Sequence, residues 1–256
     1  MTIIQSIILG LVEGITEFLP ISSTAHLLLV SQVMYITETD FVKSFTIIIQ
    51  LGAILAVAVL YFKKLLTDWG TAKRIAAAFM PTAIIGFILY KFIKGFLFVH
   101  PSVSIITLIV FGVALILFER LHIDRGIITD ARQMSYKQAA LLGLAQAVAV
   151  IPGVSRSGAT IVAGMLMGMS RVAIVEFSFL LAVPTMIAAS GYDLLESHAA
   201  FSSADIYLLA IGFVTAFIAA ILAVKFFLNF ISRHSFEAFG WYRIAVAVLA
   251  AWFLLR

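Results

Sequence analysis

The chain has 256 residues, of which 63% are hydrophobic and 12% are charged, and its mean hydropathy is +1.13. A soluble domain is about half apolar and about a quarter charged, so this composition excludes a soluble globular domain, a disordered chain and a nucleic-acid-binding domain, and it predicts an integral membrane protein. The net charge is +4, and the chain contains no cysteine, which excludes disulfides and cysteine-ligated metal or redox centres.

Two apolar stretches of the chain are interrupted and six are continuous. In chain order, the interrupted stretch 1–35, broken near Pro20, precedes three continuous stretches, and the interrupted stretch 138–169, broken at Pro152 and Gly153, precedes three more. The arms of the interrupted stretches are too short to cross a bilayer of about 30 Å as straight helices, which is typical of re-entrant hairpins. The predicted spans are about 44–62, 79–98, 103–118, 171–191, 206–229 and 241–256.

The distribution of lysine and arginine predicts the orientation in the membrane. Of the 17 basic residues, 12, including Arg243, are assigned to one side and four to the other, with Arg156 inside the membrane. The richer side is predicted to be cytoplasmic. This assignment requires each interrupted stretch to return to the side of the membrane from which it starts. The first stretch then enters from the outer side and the second from the cytoplasmic side.

A weak internal repeat supports that inversion. Gly10–Glu13 aligns with Gly143–Gln146, and Pro20–Thr24 resembles Pro152–Ser157. Corresponding elements of opposite orientation are produced by an inverted-topology repeat, in which the two hairpin tips meet near the bilayer midplane. We therefore predict an all-α polytopic membrane protein with six spanning helices and two re-entrant helical hairpins in an inverted-topology repeat. The single membrane domain is 1–256, and the repeats are about 1–118 and 138–256.

The first candidate site is a pair of carboxylates. Glu13 and Glu17 are four residues apart, so they share one helix face. Two carboxylates inside an apolar stretch are costly unless they are hydrated, paired or bound to a metal. We favour a functional pair that holds a divalent cation, Mg2+ or Ca2+, because oxygen ligands suit these ions better than zinc. The alternative is a structural pair that caps or locks a helix.

Hydroxyl groups and a histidine follow the first break. Ser22 is placed to cap the next helix. Ser23 precedes His26 by three residues, so the two side chains can face the same way and act as nucleophile and base. Two hypotheses stay open: Ser23 attacks while His26 takes its proton, or His26 or Glu17 activates a water molecule. Thr24 is assigned to phosphate binding.

The second break, Pro152–Thr160, is suited to an anion. Proline and glycine end the incoming helix, and the free N–H groups at the start of the next helix attract phosphate. Arg156 adds a planar, always charged fork. The alternative is that Arg156 only neutralises Glu13 or Glu17. The predicted catalytic residues are Glu17, Ser23, His26 and Arg156, and the predicted phosphate-binding residues are Thr24, Ser155, Arg156, Ser157 and Thr160.

The two segments that contain these candidate residues, Glu13–His26 and Pro152–Thr160, resemble those of a known family. Glu13–Glu17 resembles the acidic E-x-x-x-E box of the bacterial undecaprenyl-diphosphate phosphatases, also called bacitracin-resistance proteins, and Pro20–His26 continues that box. Pro152–Thr160 is similar to the P-G-x-S-R-S-x-x-T segment of the family, and Glu176–Pro184 is also similar. The resemblance runs along essentially the whole chain, and the two boxes together are specific.

The resemblance implies an activity that composition does not reveal. Members of the family remove the terminal phosphate of undecaprenyl diphosphate and so recycle undecaprenyl phosphate, the lipid carrier for peptidoglycan and other wall polymers. They are multi-pass inner-membrane proteins that depend on a divalent cation and act from the outer, periplasmic face. By matching position, the implied active-site residues are Glu13, Glu17, Ser23, His26, Arg156 and Thr160.

Two other classes of function compete with the enzyme. Broken helices in an inverted repeat are also a transporter design, so the chain could be a flippase or an anion carrier that binds phosphate without cleaving it. The second class is a structural membrane subunit without catalytic or transport activity. That class does not explain why polar and charged residues are concentrated at the two breaks. The expected partners are a polyprenyl diphosphate and membrane lipid, with no nucleic acid, and a homodimer is allowed for. Gln50, Gln146 and Glu176 are polar residues of lower rank.

Overall fold

The computed structural model describes residues 1–92, 101–121, 126–196 and 202–254. In these ranges the chain is helical, with an isolated bridge between Ile128 and Met169 and no β-strand. The helices are α1 (Ile3–Thr16), α2 (Ser23–Val33), α3 (Asp40–Leu60), α4 (Phe62–Thr67), α5 (Trp69–Phe92), α6 (Pro101–Leu121), α7 (Tyr136–Ala147), α8 (Arg156–Leu166), α9 (Arg171–Glu196), α10 (Ser203–Ile231) and α11 (Glu237–Leu254).

Five helices in the described ranges are long and apolar enough to cross a membrane. They are α3, α5, α6, α9 and α10, and they overlap five of the six predicted spans. The predicted start of the second span is wrong, because α5 begins at Trp69 and not near residue 79. The helix over the sixth, α11, has 18 residues, carries Glu237 and Arg243, and is not one of the five. The ends of the predicted spans 79–98 and 241–256 lie outside the described residues. The chain is therefore a polytopic membrane protein.

Each interrupted stretch forms two short helices separated by a break. The helices α1 and α7 both begin with a capping box, made by Thr2 with Gln5 and by Ser135 with Gln138. The helices α1, α2, α7 and α8 contain 14, 11, 12 and 11 residues. At about 1.5 Å per residue they are about 16–21 Å long. None of the four reaches across a hydrocarbon core of about 30 Å.

Glycines bring the first arm of each interrupted stretch against a helix of the other half. A Cβ atom at Gly10 on α1 would lie 2.6 Å from the carbonyl oxygen of Gly212 on α10. A Cβ atom at Gly143 on α7 would collide with the carbonyl oxygen of Ala78 on α5. Glycine is required at both positions because the two helix backbones touch there. Gly10 and Gly143 are also the two glycines that the alignment of the two interrupted stretches pairs.

The largest hydrophobic cluster lies around α9. Phe18 follows α1, Phe177 and Phe179 lie on α9, and Phe227 lies on α10, and all four have no exposed surface. The ring of Phe18 meets the ring of Phe179 edge-on, with centroids 5.3 Å apart. This contact fixes the break after α1 against the middle of α9.

Ion pairs join helix ends on the side predicted to be cytoplasmic. Lys64 Nζ on α4 lies 2.8 Å from Glu176 Oε2 on α9, and Arg171 Nη2 lies 2.8 Å from Glu119 Oε2 on α6. Glu176, a lower-ranked candidate in the sequence, is therefore an ion-pair partner of Lys64 at this end. It does not line the cavity described below.

Candidate active site

The two breaks lie against each other inside the bundle. Ser157 Oγ, in the first turn of α8, donates a hydrogen bond of 2.8 Å to the carbonyl oxygen of Leu19. A Cβ atom at Gly158 would lie 3.6 Å from Cβ of Pro20. Residues 138 positions apart in the chain are thus joined by a direct hydrogen bond. The polar residues on either side of each break are brought to one place.

A carboxylate of the first break joins an arginine of the second. Glu17 Oε1 accepts a hydrogen bond of 2.8 Å from Arg156 Nη2, and the side chains are 5% and 10% exposed. Glu17 Oε2 accepts a hydrogen bond of 2.6 Å from Ser23 Oγ. Arg156 Nη1 donates to the carbonyl oxygen of Ser178, and its guanidinium lies over the ring of Phe18. Glu17 therefore connects the hydroxyl of Ser23 at the first break to the guanidinium of Arg156 at the second.

The breaks share an uncommon backbone conformation. Ser22 and Ser155, the residues before α2 and α8, have φ angles of 69° and 74°. The left-handed region is costly for a residue other than glycine, and it persists where the surrounding structure imposes it, often at functional sites. Ser155 Oγ accepts a hydrogen bond from the N–H of Gly158 and so caps α8. Ser22 occupies the same position before α2, but its side chain makes no capping hydrogen bond, so the predicted cap of α2 is not formed.

Glu13 is a buried carboxylate beside Glu17. It has no exposed surface, and no N–H or O–H group of the described residues donates a hydrogen bond to its oxygens. The carboxyl group of Glu17 lies within hydrogen-bonding range of Glu13, and Arg156 is the nearby cation. Gln146, its counterpart in the repeat, also has a buried Oε1 atom with no partner in the described chain. A bare buried carboxylate is costly unless a cation or proton compensates it, so Glu13 fits a cation-binding role.

His26 is not hydrogen-bonded to Ser23, contrary to the expected pairing. Its Nδ1 lies 2.8 Å from the carbonyl oxygen of Ser22, and its Nε2 lies 2.9 Å from the hydroxyl of Tyr242. Because a carbonyl only accepts, Nδ1 carries the proton, and a neutral ring then uses Nε2 to accept from Tyr242. The ring also stacks on Tyr242. The proton acceptor that touches Ser23 is Glu17.

The predicted phosphate-binding residues fall into two groups. Thr24, Ser155 and Arg156 line the cavity at the breaks. Ser157 and Thr160 are fully buried. Ser157 bonds to the first break, and Thr160 Oγ1 lies 2.7 Å from the hydroxyl of Ser178 while donating back to its own helix. The structure therefore places these two hydroxyls behind Arg156, where they fix α8 against its neighbours.

A cavity of about 550 Å³ extends from the breaks towards one end of the bundle. Glu17, Ser23 and Arg156 line its inner end. Tyr90 and Asp193, near the ends of α5 and α9, line its other end, where the phenol donates a hydrogen bond of 2.6 Å to the carboxylate. Its size is typical of a small-molecule site. The end at Tyr90 is the one opposite the basic loops.

The sequence predicts Arg243 on the side of the membrane that is richer in lysine and arginine, and this prediction is wrong. Its side chain is 1% exposed and donates hydrogen bonds to the carbonyl oxygens of Pro20, Gly153 and Val154, at the two breaks. The signal was available, because Arg243 is followed by an uninterrupted apolar run and is an ionisable residue inside a predicted span. Tyr242, the partner of His26, was also missed.

Fold and site together define a polytopic membrane protein with a buried, carboxylate- and arginine-containing site between two broken helices. The family described as "Bacitracin resistance protein BacA" matches residues 6–249. The chain is 52% identical to the undecaprenyl-diphosphatase of Aquifex aeolicus, over 100% of both chains. It is 49% identical to that of a Sulfurihydrogenibium species, over 97% of this chain and 98% of the relative, and 48% identical to that of Persephonella marina, over 100% of both. The chain belongs to the BacA family of bacitracin resistance proteins.

Proposed function

We propose that this protein is an undecaprenyl-diphosphate phosphatase, which hydrolyses undecaprenyl diphosphate to undecaprenyl phosphate and phosphate. This reaction recycles the lipid carrier for cell-wall synthesis and gives resistance to bacitracin. The observation that carries the proposal is Glu17, which accepts hydrogen bonds from both Arg156 and Ser23 in an apolar bundle. The names of the relatives support the substrate. Phosphate release by the purified protein tests it.

Arg156 and the start of α8 are suited to the diphosphate. The guanidinium is a planar donor that matches phosphate oxygens, and the helix N-terminus adds N–H groups and a favourable dipole. Catalysis of phosphoryl transfer consists mainly of positioning and of stabilising charge on the transferring group. Arg156 is held by Ser178 and Glu17 before substrate arrives, so its orientation is set in advance.

Ser23 is the nucleophile that the geometry favours, with Glu17 as its base. Glu17 takes the proton of Ser23, Ser23 Oγ bonds to the terminal phosphorus, and the bond from phosphorus to the bridging oxygen breaks. Undecaprenyl phosphate leaves, and water then hydrolyses the phosphoserine to release phosphate. The alternative is that Glu17 activates a water that attacks directly. In both routes His26 holds the backbone of the first break through Ser22, and does not act on Ser23.

A divalent cation, Mg2+ or Ca2+, is the cofactor that we propose. The described residues contain no group of three or more His, Cys, Asp or Glu that could hold a metal. The neighbouring pair Glu13 and Glu17 would supply two acidic ligands, and water and the substrate phosphates would supply the others. Mg2+ is commonly bound by one or two carboxylates together with water and substrate phosphates. The oxygens of Glu13 fit this role, since no N–H or O–H donor of the described residues is bonded to them. When bound, the cation would neutralise charge on the diphosphate.

We expect Glu13→Gln to raise the Mg2+ concentration needed for half-maximal phosphate release by about tenfold or more, because one anionic ligand is lost. The same variant should also bind Mn2+ more weakly in an equilibrium binding measurement that needs no substrate. Glu38→Gln is the matched control, because the Glu38 side chain is 78% exposed and should leave both values unchanged. Equal metal dependence in Glu13→Gln and wild type would contradict the metal assignment.

The finer topology is also a proposal. We infer that α1 with α2 and α7 with α8 form two re-entrant hairpins in an inverted repeat, with six spans in a bacterial inner membrane and the cavity opening to the periplasm. The matched capping boxes, serine conformations and glycine contacts of the two halves support this arrangement. In the cysteine-free chain, Glu38→Cys should react with a membrane-impermeant maleimide from outside intact cells, and Leu66→Cys only after permeabilisation. The reverse pattern would invert the topology.

A further inference from the structure

Arg243 binds both breaks at once. Its Nη1 donates to the carbonyl oxygens of Pro20, at 3.0 Å, and Val154, at 3.1 Å. Its Nη2 donates to the carbonyl oxygen of Gly153 at 2.5 Å and approaches that of Thr107 on α6 at 3.5 Å. One guanidinium on α11 therefore links the first hairpin, the second hairpin and α6.

Arg243 does not reach the proposed substrate. It is not among the residues that line the cavity of about 550 Å³ with Glu17 and Arg156. It lines a smaller cavity of about 260 Å³ on another side of the breaks, whose other lining residues are apolar. Its hydrogen bonds nevertheless end close to the proposed catalytic residues, because Pro20 is three residues before Ser23 and Gly153 is three residues before Arg156.

The chemistry of the breaks explains why an arginine is placed there. A helix that is interrupted inside a membrane leaves carbonyl groups without helical partners, and these are costly in an apolar surrounding. No carboxylate pairs with Arg243 within the described ranges, so its buried charge is compensated by backbone carbonyls. A lysine carries one nitrogen and cannot reproduce the fork that serves both breaks.

We propose that Arg243 is a positioning residue that holds the two hairpin tips at the separation at which Glu17 of the first reaches Arg156 of the second. This inference deepens the proposed function. A misplacement of about 1 Å at a catalytic site can lower the rate by about 100-fold. The fork is therefore expected to act on turnover without contacting the diphosphate.

A disulfide between the tips tests this role directly. The chain has no cysteine of its own, and the Cβ atoms at positions 20 and 158 would be 3.6 Å apart, within the range of about 3.5–4.5 Å that a disulfide requires. The double variant Pro20→Cys with Gly158→Cys is the reference background. Arg243→Lys and Arg243→Gln are each made in it, and each protein is assayed for kcat and KM in its reduced and oxidised forms.

With wild-type Arg243, the disulfide should form rapidly and change kcat little. With Arg243→Lys or Arg243→Gln, we expect kcat of the reduced form to fall by about 100-fold and the disulfide to form more slowly. Oxidation should then restore at least a tenth of the reference kcat. Arg171→Lys is the matched control, because Arg171 pairs with Glu119 at the far end of the bundle. Oxidation should have no specific effect on its activity.

Three results would overturn the proposal. In the first, the reduced Arg243 variants keep the reference kcat, which would mean that Arg243 is not needed for positioning. In the second, a folded, oxidised variant is as inactive as its reduced form, which would mean that Arg243 acts on the reaction itself. Failure of both variants to fold, with or without the disulfide, would mean that the whole fold needs Arg243. A wild-type protein that releases no phosphate would instead count against the proposed function, and slower disulfide formation in the Arg243 variants would still be measurable.

Discussion

Arg156→Lys is expected to lower kcat for phosphate release from undecaprenyl diphosphate by about 100- to 1000-fold. The substitution keeps one positive charge but removes the fork that Ser178 and Glu17 hold in place. Removing one preorganised donor to a developing negative charge typically costs a factor of this size in kcat. KM should rise less than kcat falls, because the donor is needed most in the transition state.

Arg132→Lys is the matched control for Arg156→Lys. Arg132 forms an exposed ion pair with Asp130, and its hydrogen bonds lower the pKa of Asp130 to about 2. Exposed pairs contribute little to stability, and this one lies outside the cavity, so activity should change less than about twofold. An Arg156→Lys protein that keeps more than a tenth of the wild-type kcat would show that charge alone suffices.

Ser23→Ala is expected to lower kcat by about 1000-fold or more if Ser23 is the nucleophile. The Ser23 hydroxyl donates a hydrogen bond of 2.6 Å to the carboxylate of Glu17. Among the described residues at the two breaks, no other hydroxyl group donates to a carboxylate. Losing a covalent nucleophile removes the easier two-step route and leaves only direct attack by water. Ser31→Ala, on the same helix and away from the cavity, should retain full activity.

A trapping experiment separates the two routes independently of rate. Acid quenching of wild-type protein during turnover of substrate labelled in the terminal phosphate should leave label on the peptide that contains Ser23. Glu17→Gln should give neither turnover nor label, because the proposed base is gone. A Ser23→Ala protein with most of its activity, and a wild type that never carries label, would establish direct attack by water activated by Glu17.

Much of the helical framework could be predicted because it depends on local properties. The breaks in 1–35 and 138–169 follow from proline and glycine, and the shortness of their arms follows from counting apolar residues. The structure has four short helices at these places and long apolar helices over five of the predicted spans. The end of the sixth lies outside the described residues.

The site was harder to predict because its partners are distant in the chain. Glu17 and Arg156 could each be recognised as an ionisable residue in an apolar stretch, but their hydrogen bond spans 139 residues. Local spacing suggested that Ser23 pairs with His26, whereas tertiary packing supplies Tyr242 as the partner of His26 from 216 residues away. Spacing along one helix shows which side chains can reach each other. It does not show which residue of another helix will be the hydrogen-bond partner instead.

Arg243 shows a different limit of sequence reasoning. A basic residue near the start of a predicted span is normally counted as part of a loop, since most such residues set the topology. The structure instead buries it between carbonyl oxygens of the two breaks. The two breaks predict that a buried donor is needed for their free carbonyl groups. They do not predict that this donor lies on the last helix.

The most direct test of the account is phosphate release from purified protein in detergent supplied with undecaprenyl diphosphate, with Mg2+ or Ca2+ and then with excess chelator. We predict release that requires the cation and that is lost in both Glu17→Ala and Arg156→Ala, because residues of the two breaks form one site. A folded wild-type protein that binds the lipid but releases no phosphate under any of these conditions would contradict it and would indicate a carrier.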